Sequence, residues 1–190
     1  MKILIAIFSI FFLSSCTLNS STKNLPSPTM APQTSVTTNT TTTTPNTDTV
    51  VGLKTKNGQI IIKLYPKEAP NTVANFLKKV DSGFYNGLTF HRVDPGFVIQ
   101  GGDPLGNGTG GGNIASEINQ IPFKRGSVGL ARGGVKEISN DSQFYICLAD
   151  LTCAGLTGDY VNFGEVISGM DIVDQVAKGD KIVEITTKTK

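Results

Sequence analysis

The chain changes texture at Val50, and that break limits what can fold. From Thr17 to Thr49 it reads "TLNSSTKNLPSPTMAPQTSVTTNTTTTTPNTDT", dominated by Thr, Ser, Asn and Pro. Such a segment cannot bury enough apolar surface to offset the entropy of ordering it, so residues 16–49 are read as a disordered tether. About 33 flexible residues would span on the order of 30 Å. Any hydrophobic core must come from residues 50–190, which suffice for one domain.

Ahead of the tether stands "MKILIAIFSIFFLSSC", with one positive charge at Lys2 and an apolar run from Ile3 to Leu13. The run is too short to span a bilayer, which takes roughly 20 residues, but it fits the apolar region of an export signal. Its end, "LSSC", resembles the lipobox of bacterial lipoproteins. That resemblance implies cleavage after residue 15, a lipidated Cys16, and a domain tethered to a membrane outside the cytoplasm of a bacterial cell.

Within 50–190 the punctuation is that of a mainly β domain. The whole chain carries Gly 21 and Pro 9 and has no Trp. "VVGLKTKNGQIIIKLY" sets two β-rich runs around Asn57-Gly58, a strong hairpin signal. In "APNTVANFLKKVDSGFY", Val73, Phe76, Leu77 and Val80 recur at helical spacing. Asn71 or Thr72 is the expected N-cap and Gly83 the stop. Further strands are expected at 88–93, 97–101, 127–132, 143–148, 161–167 and 181–187, with a second helix at 169–177. Eight short strands and two helices predict a closed antiparallel barrel capped by helices. A barrel of eight strands is filled by its own side chains, so a ligand site belongs on the outer wall.

Several chemistries are excluded. A net charge of +2, with scattered Lys and Arg, gives no stripe for nucleic acid. His91 is the only imidazole and no G-x-S-x-G elbow exists, so a Ser/His/Asp hydrolase does not fit. Cys147, Cys153 and His91 match no zinc spacing. "GNGTGG", Gly106–Gly111, satisfies G-x-G-x-x-G but follows a proline and opens no helix, so it reads as a glycine-rich loop. No metal or cofactor is called for. Cys147 and Cys153 are open to two readings: a disulfide formed after export, or two partly buried thiols.

What remains is "FHRVDPGFVIQGGDPLGNGTGG", followed by "GLARGG", "NDSQFYICL" and "LTGDYVNFGEV". These blocks, in this order from about residue 50 to the end, resemble the cyclophilins, a family of peptidyl-prolyl isomerases. The resemblance implies binding and isomerisation of Xaa–Pro bonds in client polypeptides by a monomeric domain. It implies that Arg92 is the catalytic donor and that Gln100 orients it and holds substrate carbonyls. Phe97, Val98, Phe144, Leu156 and Tyr160 would make the proline pocket and its rim. Backbone at Arg132 would clamp the peptide, with Ala131 and Gln143 in the neighbouring wall. Gly101 and Gly102 would keep the floor low for the peptide backbone. The same groove could also serve a non-catalytic peptide-binding or chaperone module.

His91 has no catalytic role in this family. Alternation along a strand would turn it away from the groove if Arg92 faces it, leaving a hydrogen-bonded structural residue. Two departures stand out. Asp94 occupies a usually aliphatic position and reads as a solvated turn residue before Pro95. Val98 replaces a longer side chain and should loosen the pocket.

The leader yields a direct test. Several acyl chains on Cys16, at about 0.8 kcal/mol per buried CH₂, would hold the protein on a membrane. Replacing Cys16 by Ser should move it to a soluble or unprocessed form on fractionation. Unchanged membrane partitioning of processed protein would remove the lipid anchor from the account.

Overall fold

The computed structural model describes residues 49–188. The expected leader, lipidation site Cys16 and nearly all of the tether lie outside the described residues, as do the last two positions. The first strands, β1 (Val50–Thr55) and β2 (Gly58–Leu64), form the expected antiparallel hairpin, with Thr55 opposite Gly58. The two-residue turn is thus Lys56-Asn57, one step earlier than Asn57-Gly58 suggests. Val51, Leu53, Ile60, Ile62 and Leu64 are buried at alternate positions, as a strand with one face on a core requires.

Helix α1 (Pro70–Asp81) buries Val73, Phe76 and Val80, as the spacing predicts. Its ends differ in how far local sequence controls them. At the C-terminus Gly83 takes φ 69°, its N–H bonds the Val80 carbonyl at 2.9 Å, and the Phe84 N–H bonds the Lys79 carbonyl at 3.0 Å. A left-handed glycine closing two orphan carbonyls is a Schellman stop. At the N-terminus neither Asn71 nor Thr72 is the cap. Their N–H groups instead donate to the Glu117 carboxylate, at 3.0 and 2.7 Å. Burial pushes that carboxyl up, but the bonds from Thr72 and Asn71 outweigh it and hold it below the usual range.

The remaining strands are β3 (Arg92–Asp94), β4 (Val98–Gly101), β5 (Asn113–Ala115), β6 (Ser127–Arg132), β7 (Ile138–Cys147), β8 (Asn162–Ser168) and β9 (Glu184–Lys188). They join the first hairpin in one antiparallel sheet of order β3-β4-β7-β6-β8-β2-β1-β9, with β5 attached to β7. The expected closed barrel needs correcting: the sheet is a curled, open path, and its end strands β3 and β9 do not pair. The segments before them, expected as strand, are irregular. They meet through the single bridge Thr89–Lys181 and through backbone bonds such as Phe90 N–H to Asp180 and Ile182 N–H to Leu88, both 2.8 Å.

The second expected helix is shorter than predicted, α3 (Met170–Val173), entered through Gly169 at φ 89°. A Cβ there would lie 2.6 Å from the Gln59 carbonyl. One further short helix, α2 (Asp150–Cys153), and a 3₁₀ turn at Ala154–Leu156 follow β7. Phe76 of α1 meets Tyr85, Phe144 and Phe163 at ring separations of 5.2 to 5.8 Å, so helix and sheet share one aromatic core. Each such side chain contributes about 1.5–3 kcal/mol by leaving water.

Candidate functional site

Register, not sequence proximity, assembles the site. Arg92 of β3 lies opposite Gln100 of β4, Gln100 opposite Tyr145 of β7, and Tyr145 opposite Gly129 of β6. Residues directly opposite across antiparallel strands share a face, so these four form one row on the outer surface. Residues two apart on a strand also share that face, which adds Val98 and Gln143. The row borders a cavity of about 450 Å³. Arg92, Phe97, Val98, Gln100, Ala131, Arg132, Leu156 and Tyr160, all named from the sequence, line it.

Phe144 is not among them. It is fully buried and packs edge-on against Phe76 and Tyr85 in the main core. Its partners Gly101 and Leu130 face the same inward side. The aromatic that β7 presents to the cavity is its neighbour Tyr145, which stacks on Phe123 at 5.8 Å and meets Tyr160 edge-on at 6.0 Å. Gly129 makes this possible, since a Cβ there would come within 2.4 Å of the Tyr145 ring end. The Tyr145 hydroxyl is buried without a hydrogen-bond partner among the described residues. Burial, with Tyr160 beside it, pushes its pKa up.

A polar chain runs along the cavity. Arg92 Nη1 donates to Gln100 Oε1 at 3.1 Å, and Gln100 Nε2 donates to Gln143 Oε1 at 2.9 Å. Gln143 Nε2 in turn donates to the Gly110 carbonyl at 2.8 Å and the Gly108 carbonyl at 3.2 Å. Gln143 therefore works beneath the wall, and it also lines an adjoining cavity of about 340 Å³. The glycine-rich loop is held in turn by buried Asp103, which accepts from the N–H groups of Leu105, Asn107 and Gly108. Burial pushes the Asp103 carboxyl up, yet these donors hold it below the usual range. "GNGTGG" thus serves as a wall of the cavity.

Arg92 has a second partner that sequence reading does not provide. Its Nε donates to Asp94 Oδ2 at 2.9 Å and its Nη2 donates to the same oxygen. Asp94 is therefore not simply a solvated turn residue. The guanidinium carbon stands 5.7 Å from the Phe97 ring centroid, at the edge of the apolar pocket. Across the cavity, Arg132 lies 4.5 Å over the Tyr160 ring, and its Nε donates to the Asp159 carbonyl at 3.1 Å. The β6–β7 register slips between Leu130 and Arg132, so β6 departs from its ladder at the cavity wall.

Two further expectations change, and of the two readings of the cysteine pair one holds. His91 precedes the first ladder residue of β3, so strand alternation does not govern it; it lines the cavity, and its buried Nδ1 has no partner among the described residues. Burial lowers its pKa, with Asp103 opposing and Arg92 and Lys178 adding to the fall. Gly101 and Gly102 serve internal packing instead of a low floor. A Cβ on Gly102 would lie 2.3 Å from the Ser142 carbonyl, and one on Gly101 would meet Phe90 at 3.2 Å. Finally, Cys147 and Cys153 are joined as a disulfide, with Cα atoms 6.2 Å apart. Among the described residues no group of three or more His, Cys, Asp or Glu could hold a metal.

Comparison with known proteins bears on this arrangement. Residues 50–189 match the family described as cyclophilin type peptidyl-prolyl cis-trans isomerase/CLD. A peptidyl-prolyl cis-trans isomerase of Helicobacter pylori is 42% identical over 139 residues, covering 70% of this chain and 83% of that one. Peptidyl-prolyl cis-trans isomerase B of Bacillus subtilis is 41% identical over 131 residues, covering 67% and 89%. The crystal structure of a cyclophilin type isomerase of Cryptosporidium parvum, in the presence of the dipeptide Ala-Pro, superposes with a TM-score of 0.68. That protein is 30% identical, with 74% of this chain and 99% of that one covered.

The disulfide lies directly under the cavity. Cys147 and Cys153 are buried with Val98, Phe123 and Tyr145 in a small second core, on which Phe97, Leu156 and Tyr160 pack. The bond ties β7 to the turn that carries Leu156. Changing Cys153 to Ala should lower stability by about 2 kcal/mol, the contribution of closing so short a loop. Affinity for a proline peptide should fall several-fold as Leu156 loosens. Denaturant unfolding and peptide titration check both, and an unchanged unfolding midpoint would contradict the tie.

Proposed function

The chain belongs to the cyclophilin-type peptidyl-prolyl cis-trans isomerases, and from that membership we propose that Arg92 is the residue that lowers the barrier. The protein is a peptidyl-prolyl cis-trans isomerase, and the reaction sets the terms. Rotation about an Xaa–Pro bond faces a barrier of roughly 20 kcal/mol from amide resonance, and no covalent bond is made or broken. No nucleophile is required. As the bond twists, the prolyl nitrogen pyramidalises and gains a lone pair that neither ground state offers. A fixed cationic donor aimed at that nitrogen stabilises the transition state selectively.

The observation that carries this reading is Arg92 at the lip of the cavity, its Nη1 bonded to Gln100 and its guanidinium beside Phe97. In this reading the proline ring enters among Phe97, Val98, Tyr145 and Leu156, where the low dielectric strengthens the donor. Gln100 and the backbone near Arg132 hold the flanking peptide. The Ala-Pro dipeptide present with the Cryptosporidium parvum relative supports a proline ligand here. We further propose that the protein works as a monomer on the outside of the cytoplasmic membrane or beyond, held by lipid on Cys16 and acting on proline-containing envelope polypeptides. The leader sequence and the paired cysteines support that location.

Arg92→Lys tests the role of the donor. The substitution keeps the charge but loses the planar fork, and the ammonium is more strongly hydrated. The expected fall in kcat/KM is roughly ten- to a thousand-fold, about 1.4 to 4 kcal/mol. Affinity for an Ala–Pro peptide should change far less. NMR exchange reports both quantities. An intact exchange rate in Arg92→Lys would overturn the assignment, and binding by the unaltered protein without faster exchange would point to a binding module.

A further inference from the structure

We propose that Asp94 is a positioning residue that aims the Arg92 guanidinium, an inference resting on the reading of Arg92 as the donor. Arg92 and Asp94 are two apart on β3, so their side chains leave the same face of one strand. Both Nε and Nη2 donate to a single Asp94 oxygen, Oδ2, while Nη1 donates to Gln100. A guanidinium has five N–H donors in a rigid plane. Three are engaged here, which leaves one on each terminal nitrogen. Fixing one edge on Asp94 and one nitrogen on Gln100 removes rotation about the side-chain axis and sets the direction of the two free donors.

Two effects of the carboxylate oppose each other. It offsets part of the positive charge, which weakens the field on a developing lone pair. It also restrains a side chain that is 45% exposed and would otherwise sample many rotamers. Exposed ion pairs add little to stability, so Asp94 is not expected to matter for folding. Catalysis weighs the effects differently, because the donor acts through one directed hydrogen bond to a single atom. Small misplacements of such a group cost large factors in rate. Orientation therefore outweighs the lost charge. Asp94 lies outside the ring of residues lining the cavity, so it acts through Arg92 and not on the peptide.

The test is a double-mutant cycle on the full-length protein, with isomerisation of an Ala–Pro peptide and its affinity both measured by NMR. Asp94→Val, which restores an aliphatic residue, should lower kcat/KM about five- to twentyfold while affinity stays within about twofold. Asp94→Asn keeps an acceptor and should recover much of that loss. In an Arg92→Ala background, itself far less active, Asp94→Val should have no further effect. The inference is overturned if Asp94→Val leaves kcat/KM unchanged or raises it, or if its cost persists without Arg92. A parallel loss of affinity would equally overturn it, as a structural effect. An Arg92→Ala variant of full activity would instead remove the reading of Arg92 itself.

Discussion

Gln100 of β4 faces Tyr145 of β7, and most of the site follows from that one antiparallel register. It fixes the parity of β7, placing Gln143, Tyr145 and Cys147 outward and Phe144 and Ile146 in the core. It fixes the parity of β4, so that Val98 and Gln100 face the cavity while Ile99 is buried with the core. Through the β3–β4 pairing it then brings Arg92 to the same surface. A slip of one residue would exchange every inward and outward side chain. The main aromatic core therefore specifies the site as strongly as the site residues do, since Phe144 against Phe76 and Tyr85 keeps that register in place.

Around the row, the polar groups are connected end to end. The chain from Arg92 through Gln100 and Gln143 finishes on backbone carbonyls of the glycine-rich loop, and Asp103 holds that loop from below. Each member is aimed by the next. Such a chain suits a reaction with no covalent step, in which the protein's contribution is a donor fixed in space beside an apolar pocket. The disulfide does for the apolar side what Gln143 does for the polar side: it secures the element from which a pocket residue projects.

Local patterns in the sequence carried the elements whose stability is local. The β1–β2 hairpin, the buried face of α1, its glycine stop and strand 127–132 all follow from period, turn chemistry and capping rules. Features settled by distant partners were not legible. Glu117 caps α1 from 45 residues away along the chain. The irregular seam between 87–90 and 179–182, where β3 and β9 fail to pair, depends on how the sheet curls. The adjacent Gln143 and Phe144 cannot both face one side of a strand, and that was the available signal that one assignment had to move to Tyr145. The Arg92–Asp94 pair was hidden because Asp94 precedes a proline and has the composition of a turn.

The central claim, that isomerisation rests on a permanently charged arginine and on no titrating group, is tested most directly by kcat/KM of the unaltered protein against pH. A guanidinium is not deprotonated in proteins, so a donor of this kind has no titration to report. His91 also lines the cavity, and burial places its titration below the ordinary value of 6.5. The expected profile is flat, within about twofold, from pH 6.5 to 9. A limb inside that window would contradict the account and return the chemistry to a proton-transferring group.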